Sequence, residues 1–295
     1  MMGTVAHYVK SHGLGNDYIV IDPANVPFTV TPEAVRLICD RHRGVGSDGI
    51  LLVAARDGAD FGVRIFNPDG SEAEKSGNGI RIFAKFLRDH GYATRDEFSI
   101  DTLGGVVRVK CRPLTGVEPW PADRVYWVDA EMGTIRFDAV SEIDIDGARV
   151  EVTSLSIGNP HCVVIVPDLR AVDVRGLGPK IERHAAFPRG TNVQFAQVVR
   201  RDLIDIEIWE RGAGYTLASG TSSCAAAAAC QRRGLVDRDV IVSMPGGVLN
   251  VTVGEGYGMR LGGPVEEVCS GDLSPELLFR IDHTQAGGFS AGRPT

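Results

Sequence analysis

Residues 61–109, FGVRIFNPDGSEAEKSGNGIRIFAKFLRDHGYATRDEFSIDTLGGVVRV, can be laid over residues 204–251, IDIEIWERGAGYTLASGTSSCAAAAACQRRGLVDRDVIVSMPGGVLNV. Phe66 then meets Trp209, Ser76 meets Ser219, Gly77 meets Gly220 and Gly91 meets Gly234, all at one offset of 143 residues. One deletion later, Gly104-Gly105-Val106 meets Gly246-Gly247-Val248. Both copies read strand, turn, Ser-Gly, helix, Gly, strand, Gly-Gly, strand. Self-similarity of this kind is the mark of a duplicated structural unit.

Working outward, short β-like apolar runs (YIVID, GILLV, VRIF, VVRVK, VYWV, CVVIV, IEIW, VIVSM, VLNVTV) predict many short strands. Helical spacing is confined to about 31–42, 79–90, 172–185 and 222–233. The expectation is an α+β fold of two pseudo-symmetric domains, each a barrel-like sheet wrapped around its Ser-Gly helix. The small side chains of Ala225 to Ala229 suit a tightly enclosed helix. The Pro-rich stretch RPLTGVEPWPADR, residues 112–124, marks the boundary, giving domains 1–120 and 121–271. Segment 272–285 is expected to rejoin the first domain, and 286–295 to form a disordered tail.

Each repeat places a serine just before a helix, beside glycines that leave backbone N–H groups uncovered. Serine is a favoured N-cap, so one such site reads as capping. A pseudo-two-fold axis would bring both starts to one cleft. Two helix N-termini aimed at one spot make a carboxylate site, and they set two side chains on opposite sides of it. That geometry suits inversion of a carbon next to a carboxylate, one group removing the α-proton and the other delivering a proton to the opposite face.

Bulk properties narrow the classes. A chain of 295 residues, 43% hydrophobic and 23% charged, is that of a globular protein. A net charge of -7 without a basic block argues against nucleic acid or an anionic membrane as partner. The apolar runs are too short to span a bilayer, and the N-terminus lacks a secretory pattern, so the expected location is the cytoplasm. The six cysteines, at 39, 111, 162, 224, 230 and 269, have no zinc-like spacing and read as buried thiols, with no metal site.

SHGLGNDYIVID, CDRHRGVGSDGILLV, RIFNPDGSEAEKSGNGIR, SIGNPHCV, TNVQFA and WERGAGYTLASGTSSCAAA resemble, in order, the successive signatures of diaminopimelate epimerase, from about residue 8 to 270. The resemblance implies no cofactor and inversion at one α-carbon of diaminopimelate, a lysine and peptidoglycan precursor. It implies that Asn67, Asn159, Asn192 and Arg211 grip the distal carboxylate, with Glu210 accepting the ammonium there. Asn16 would lie near the reacting centre. Gly77, Asn78, Gly220 and Thr221 would form the cradle for the reacting carboxylate, and His161 would assist proton transfer. Such two-domain chains often pair, so a homodimer is expected. Taken alone, Asn67 and Asn159 also suit plain turns. Glu210 and Arg211 also suit a surface ion pair, and His161 a core histidine.

The departure lies at the chemistry: the family pattern has cysteines where this chain has Ser76 and Ser219. A thiol titrates near pH ~8.5 and an alkanol near ~15.7. The gap corresponds to roughly 10 kcal/mol for making the anion, and helix dipoles return only about 0.3–2 kcal/mol. Unaided serines should be poor bases, which makes Glu74, Lys75 and His161 further candidates. Tyr215 also stands where the family usually has an acid. The readings at this level are a diaminopimelate-like epimerase and an isomerase of a more acidic unsaturated dicarboxylate. A catalytically inert ligand-binding form, natural or engineered, is the third.

Overall fold

The computed structural model describes residues 6–113 and 123–285. The expected tail at 286–295, and most of the expected boundary at 112–124, lie outside them. Five α-helices occur among the described residues: α1 (Pro32–Cys39), α2 (Gly77–Asp89), α3 (Val174–Glu182), α4 (Gly220–Arg232) and α5 (Pro275–Gln285). The 143-residue offset links α2 and α4 at both ends.

The duplication extends well beyond the two stretches that reveal it. In the first half, Asn16–Ile21 pairs in parallel with Ile50–Ala54, which pairs antiparallel with Phe61–Phe66. In the second, Pro160–Ile165 pairs in parallel with Asn192–Arg200, which pairs antiparallel with Leu203–Glu210. Phe61–Phe66 and Leu203–Glu210 each then take a parallel neighbour, Glu97–Asp101 and Asp239–Met244. The alternating burial of Val107–Pro113 and Leu203–Glu210 is that of strands with one face on a core. The parallel strands are different. Asn16–Ile21 and Ile50–Ala54 are almost continuously buried, because α2 covers one face and α1 the other.

The two halves form one sheet. Val125–Thr134 pairs with Val107–Pro113 of the first half and with Gly258–Pro264 of the second. Beyond that junction the chain exchanges sides. Arg136–Phe137 pairs with Thr153–Ser156, while Glu266–Asp272 pairs with His7–Gly13. A buried ion pair secures the junction: Lys85 Nζ lies 2.6 Å from Asp89 and donates to the Val125 carbonyl, and the Val125 N–H donates to Asp89.

One apolar core surrounds α2 and α4 together, and each outer helix has its own smaller cluster. Ala225 to Ala229 are all fully buried, so α4 is enclosed on every side. Its smallness has a purpose at its start. A methyl group built on Gly220 would lie 3.1 Å from Gly77 Cα and 2.7 Å from Leu261 Cδ2. The two helices therefore meet backbone to backbone.

α5 is the helix that the sequence pattern does not reveal, and the strands His7–Gly13, Asn192–Arg200, Gly258–Pro264 and Glu266–Asp272 also lie outside the apolar runs read from it. In PELLFRIDHTQ only Leu277 and Ile281 turn fully inward, against the α1 cluster, and Phe279 is exposed. Three adjacent large apolar residues obscure the helical period.

Two outcomes follow for stability. Ile281→Ala should lower the unfolding free energy by about 2–5 kcal/mol, read as a reduced urea midpoint, because it empties a buried site shared with α1. Gly220→Ala should lower it by about 1–3 kcal/mol, because its methyl group meets backbone that cannot rotate away.

Candidate active site

Ser76 and Ser219 are the N-cap residues of α2 and α4, both with extended backbone (φ -136 and -147). Since Gly77 and Gly220 touch, the two helix starts abut, and their first-turn N–H groups, which no helix satisfies internally, share one place. This is the arrangement that the repeat predicts. The serines themselves are not equivalent.

Ser76 caps its helix: its Oγ accepts from the Gly79 N–H at 3.0 Å. It also accepts from the Tyr18 hydroxyl at 3.2 Å. Ser219 makes no side-chain cap bond. Its hydroxyl instead lies close enough to the Glu210 carboxylate to lower that group's pKa by hydrogen bonding. Thr216 Oγ1 donates to the same carboxylate at 3.2 Å. Burial is the larger influence and raises the Glu210 pKa above the ordinary carboxylate range. Glu210 thus belongs to the second helix start and makes no ion pair with Arg211 among the described residues.

Asn78 and Asn16 connect the first helix start to the surface. Asn78 Nδ2 donates to Asn16 Oδ1 at 3.1 Å and, across the halves, to the Ala218 carbonyl at 3.5 Å. Asn16 Nδ2 donates to Asp48, which Arg41 bridges to Asp17. Behind Asn78 sits Arg81, fully buried, donating to Asn78 Oδ1 at 2.9 Å and to the Gly77 carbonyl at 3.3 Å. Its Nε has no partner, and it forms no ion pair among the described residues. Burial lowers its pKa to about 10, which still leaves it charged at neutral pH. Thr221, the counterpart of Asn78 at the 143-residue offset, is buried at the start of α4.

A second cluster holds His161, Asn159, Asn192 and Arg211. Asn192 Nδ2 donates to the Pro160 carbonyl at 2.9 Å, and its Oδ1 accepts from the Arg211 N–H at 3.0 Å. His161 is fully buried, with Nε2 3.0 Å from Asn159 Oδ1. Its Nδ1 and the Oε1 of Gln194 lack hydrogen-bond partners. Desolvation lowers its pKa to about 3, so the ring is neutral across the physiological range. Asn67 joins neither cluster through a hydrogen bond; its amide donates to Ser71 within its own turn.

The remaining candidates sit at the edges. Lys75 donates to the Met132 carbonyl at 3.0 Å, and burial lowers its pKa. Tyr215 donates to Glu207 at 2.6 Å and lies under the Arg175 guanidinium, 4.2 Å from its ring centre. Tyr18 and Arg81 escape a motif-based reading. Tyr18 carries a usable signal, being 143 residues before His161, as Asn16 is before Asn159. Five of the cysteines are buried and Cys269 is exposed; among the described residues there is no acidic, histidine and cysteine cluster able to hold a metal. No described helix is long and apolar enough to cross a membrane.

A model of the family described as diaminopimelate epimerase matches residues 8–118 and 153–264. Diaminopimelate epimerase 2 from a Nostoc species is 43% identical over 285 residues, spanning 92% of this chain and 96% of that one. The diaminopimelate epimerase of Desulfitobacterium hafniense is 40% identical over 288 residues, spanning 92% and 99%. Among solved structures, a hydroxyproline epimerase from Agrobacterium vitis superimposes with a TM-score of 0.71 at 15% identity, covering 93% and 95% of the two chains. A methylitaconate-delta-isomerase does so with 0.63 at 12%, covering 98% of each; at these identities the likeness is one of fold. With the family match falling on both halves of the duplication and these relatives spanning nine-tenths of its length, the chain belongs to the diaminopimelate epimerase family and is an isomerase of epimerase type.

Proposed function

We propose that the chain interconverts LL- and meso-diaminopimelate without a cofactor, moving one α-proton between the Ser219 face and the Ser76 face of the substrate. The observation that carries this reading is the contact of the two helix starts at Gly77 and Gly220, each preceded by a serine. The first-turn N–H groups of α2 and α4 take the reacting carboxylate. Arg81 supports the same reading: a buried guanidinium with no carboxylate partner among the described residues leaves the site positive and suited to an anion. Asn67, Asn159, Asn192 and Arg211 take the distal end. In Asn192 the amide oxygen accepts from the Arg211 N–H and one amide proton goes to the Pro160 carbonyl, which leaves its second amide proton to offer.

Glu210 addresses the difficulty of a serine base. When Ser219 accepts the α-proton, its own proton passes to the adjacent carboxylate, and no free alkoxide need persist. A pKa raised by burial makes Glu210 a stronger base than an exposed glutamate. His161 is less suited to this task, because its imidazole resists protonation. It serves instead to fix Asn159.

The reaction is tested in deuterated water by following α-proton exchange on both diaminopimelate isomers by NMR. Exchange with inversion is expected for the unsubstituted chain. Ser76→Ala and Ser219→Ala should each cut inversion by about 100-fold or more. Exchange only on an unsaturated dicarboxylate would replace this substrate assignment. Restoring thiols at both positions should raise the rate, because a thiolate forms far more readily than an alkoxide.

The pH dependence follows from Glu210. As a base it must be ionised, so activity should fall as pH drops through its raised pKa, at higher pH than an ordinary carboxylate would give. The stability sign is opposite. The folded state holds this proton more tightly than the unfolded chain, so its contribution is lost as pH rises through the folded pKa. Glu210→Gln should therefore flatten the acid limb of the rate profile. It should also leave the melting temperature at pH 7 equal or higher.

A further inference from the structure

We propose that Tyr18 is a positioning residue for the Ser76 face: its hydroxyl and the Gly79 N–H both donate to the Ser76 oxygen, which turns the serine's own proton toward the substrate and holds the oxygen once that proton has left. The proposal rests on the α-proton transfer reading above and adds to it a residue of the SHGLGNDYIVID stretch to which the resemblance assigns no role.

Three observations converge on it. The two donors lie 3.2 and 3.0 Å from one oxygen, which uses both of its acceptor positions. Tyr18 is buried, its ring held against Gly49, where a methyl group would come within 2.7 Å of Cε1. A plain phenyl ring would serve that packing, so the hydroxyl is there for its partner. Finally, Tyr18 and His161 occupy equivalent places in the duplication, yet only Tyr18 reaches its serine. The second half uses Glu210 instead, so the two faces carry different chemistry: a carboxylate behind Ser219 and a phenol behind Ser76.

Burial above all, with the neighbouring acids Glu210, Asp48 and Asp17, raises the Tyr18 pKa to about 12, against a lowering by its hydrogen bond with Ser76. The phenol is therefore a protonated donor throughout the physiological range. The protons balance without a co-reactant. The Cα–H bond breaks, its proton goes to Ser219, and the Ser219 proton goes to Glu210. The carbanion's electron pair forms a new C–H bond with the Ser76 proton on the other face, and the Ser76 oxygen draws on the Tyr18 proton. Return of a proton from Glu210, directly or through solvent, restores both groups. Nothing is oxidised or reduced.

Tyr18→Phe removes only the hydroxyl. Inversion should fall about tenfold or more with KM within about twofold, while deuterium exchange without inversion, at the Ser219 face, is retained. Equal loss of exchange and inversion, or no loss of either, overturns the proposal. A second measurement does not depend on the substrate. In a Cys269→Ser background, which removes the exposed thiol, Ser76→Cys is titrated by its alkylation rate against pH, with and without Tyr18→Phe. Loss of the donor should raise the thiol pKa by about half a unit or more. An unchanged profile overturns the proposal. If the thiol responds while the unsubstituted chain exchanges no α-proton of diaminopimelate, the pairing stands and the substrate reading is what fails.

Discussion

The backbone contact between Gly77 and Gly220 is the constraint on which the rest depends. Two helix N-termini carry partial positive charge and unsatisfied donors, so bringing them together is unfavourable unless something anionic lies between. The fold enforces the approach by several means. α4 is built of alanines so that the sheet can close around it, and Leu261 packs on both glycines. The exchange of strands at the junction ties each half to the other along Val125–Thr134 and Gly258–Pro264. Arg81 adds a third positive contribution behind the first helix start. Left without a carboxylate partner, such a charge is costly to bury. The arrangement is a structure tuned to an anion rather than to its own stability.

Much of this was legible in the sequence because the duplication carries its own register. The single offset joining Ser76 to Ser219 predicts two equivalent helix starts, and α2 and α4 begin at equivalent residues. Many of the strands followed from short apolar runs, whereas the strands His7–Gly13, Gly258–Pro264 and Glu266–Asp272 did not. α5 did not, since Leu277, Leu278 and Phe279 are consecutive and only tertiary packing decides which of them turns inward. The site was legible in its membership but not in its wiring. Glu210 and Arg211 are neighbours in the chain, yet the Glu210 carboxylate at the strand's end reaches Ser219 while the Arg211 N–H, in the turn that follows, binds Asn192. Asn67 spends its amide on a local turn, as its Asn-Pro-Asp-Gly context allows. Side-chain hydrogen bonds between elements distant in sequence leave no periodic trace.

The least legible feature is the difference between the two serines. Sequence symmetry makes Ser76 and Ser219 alike, whereas their surroundings make them opposites. Ser76 satisfies the Gly79 N–H, a capping interaction typically worth about 1 kcal/mol. Ser219 forgoes that bond, leaving the α4 start uncapped, and lies beside the half-buried Glu210 carboxylate, whose pKa is raised by desolvation. Both choices cost stability in the second half. A purely structural serine would take the cap, and a purely structural glutamate would face water. Their joint departure from those local preferences, at the point where the two helices meet, distinguishes Ser219 from a helix cap that happens to sit near a pocket. The same comparison explains why Ser76 can keep its cap and still contribute. Its oxygen accepts from two donors, so its proton has no acceptor among the groups holding it and is free for whatever lies between the helices.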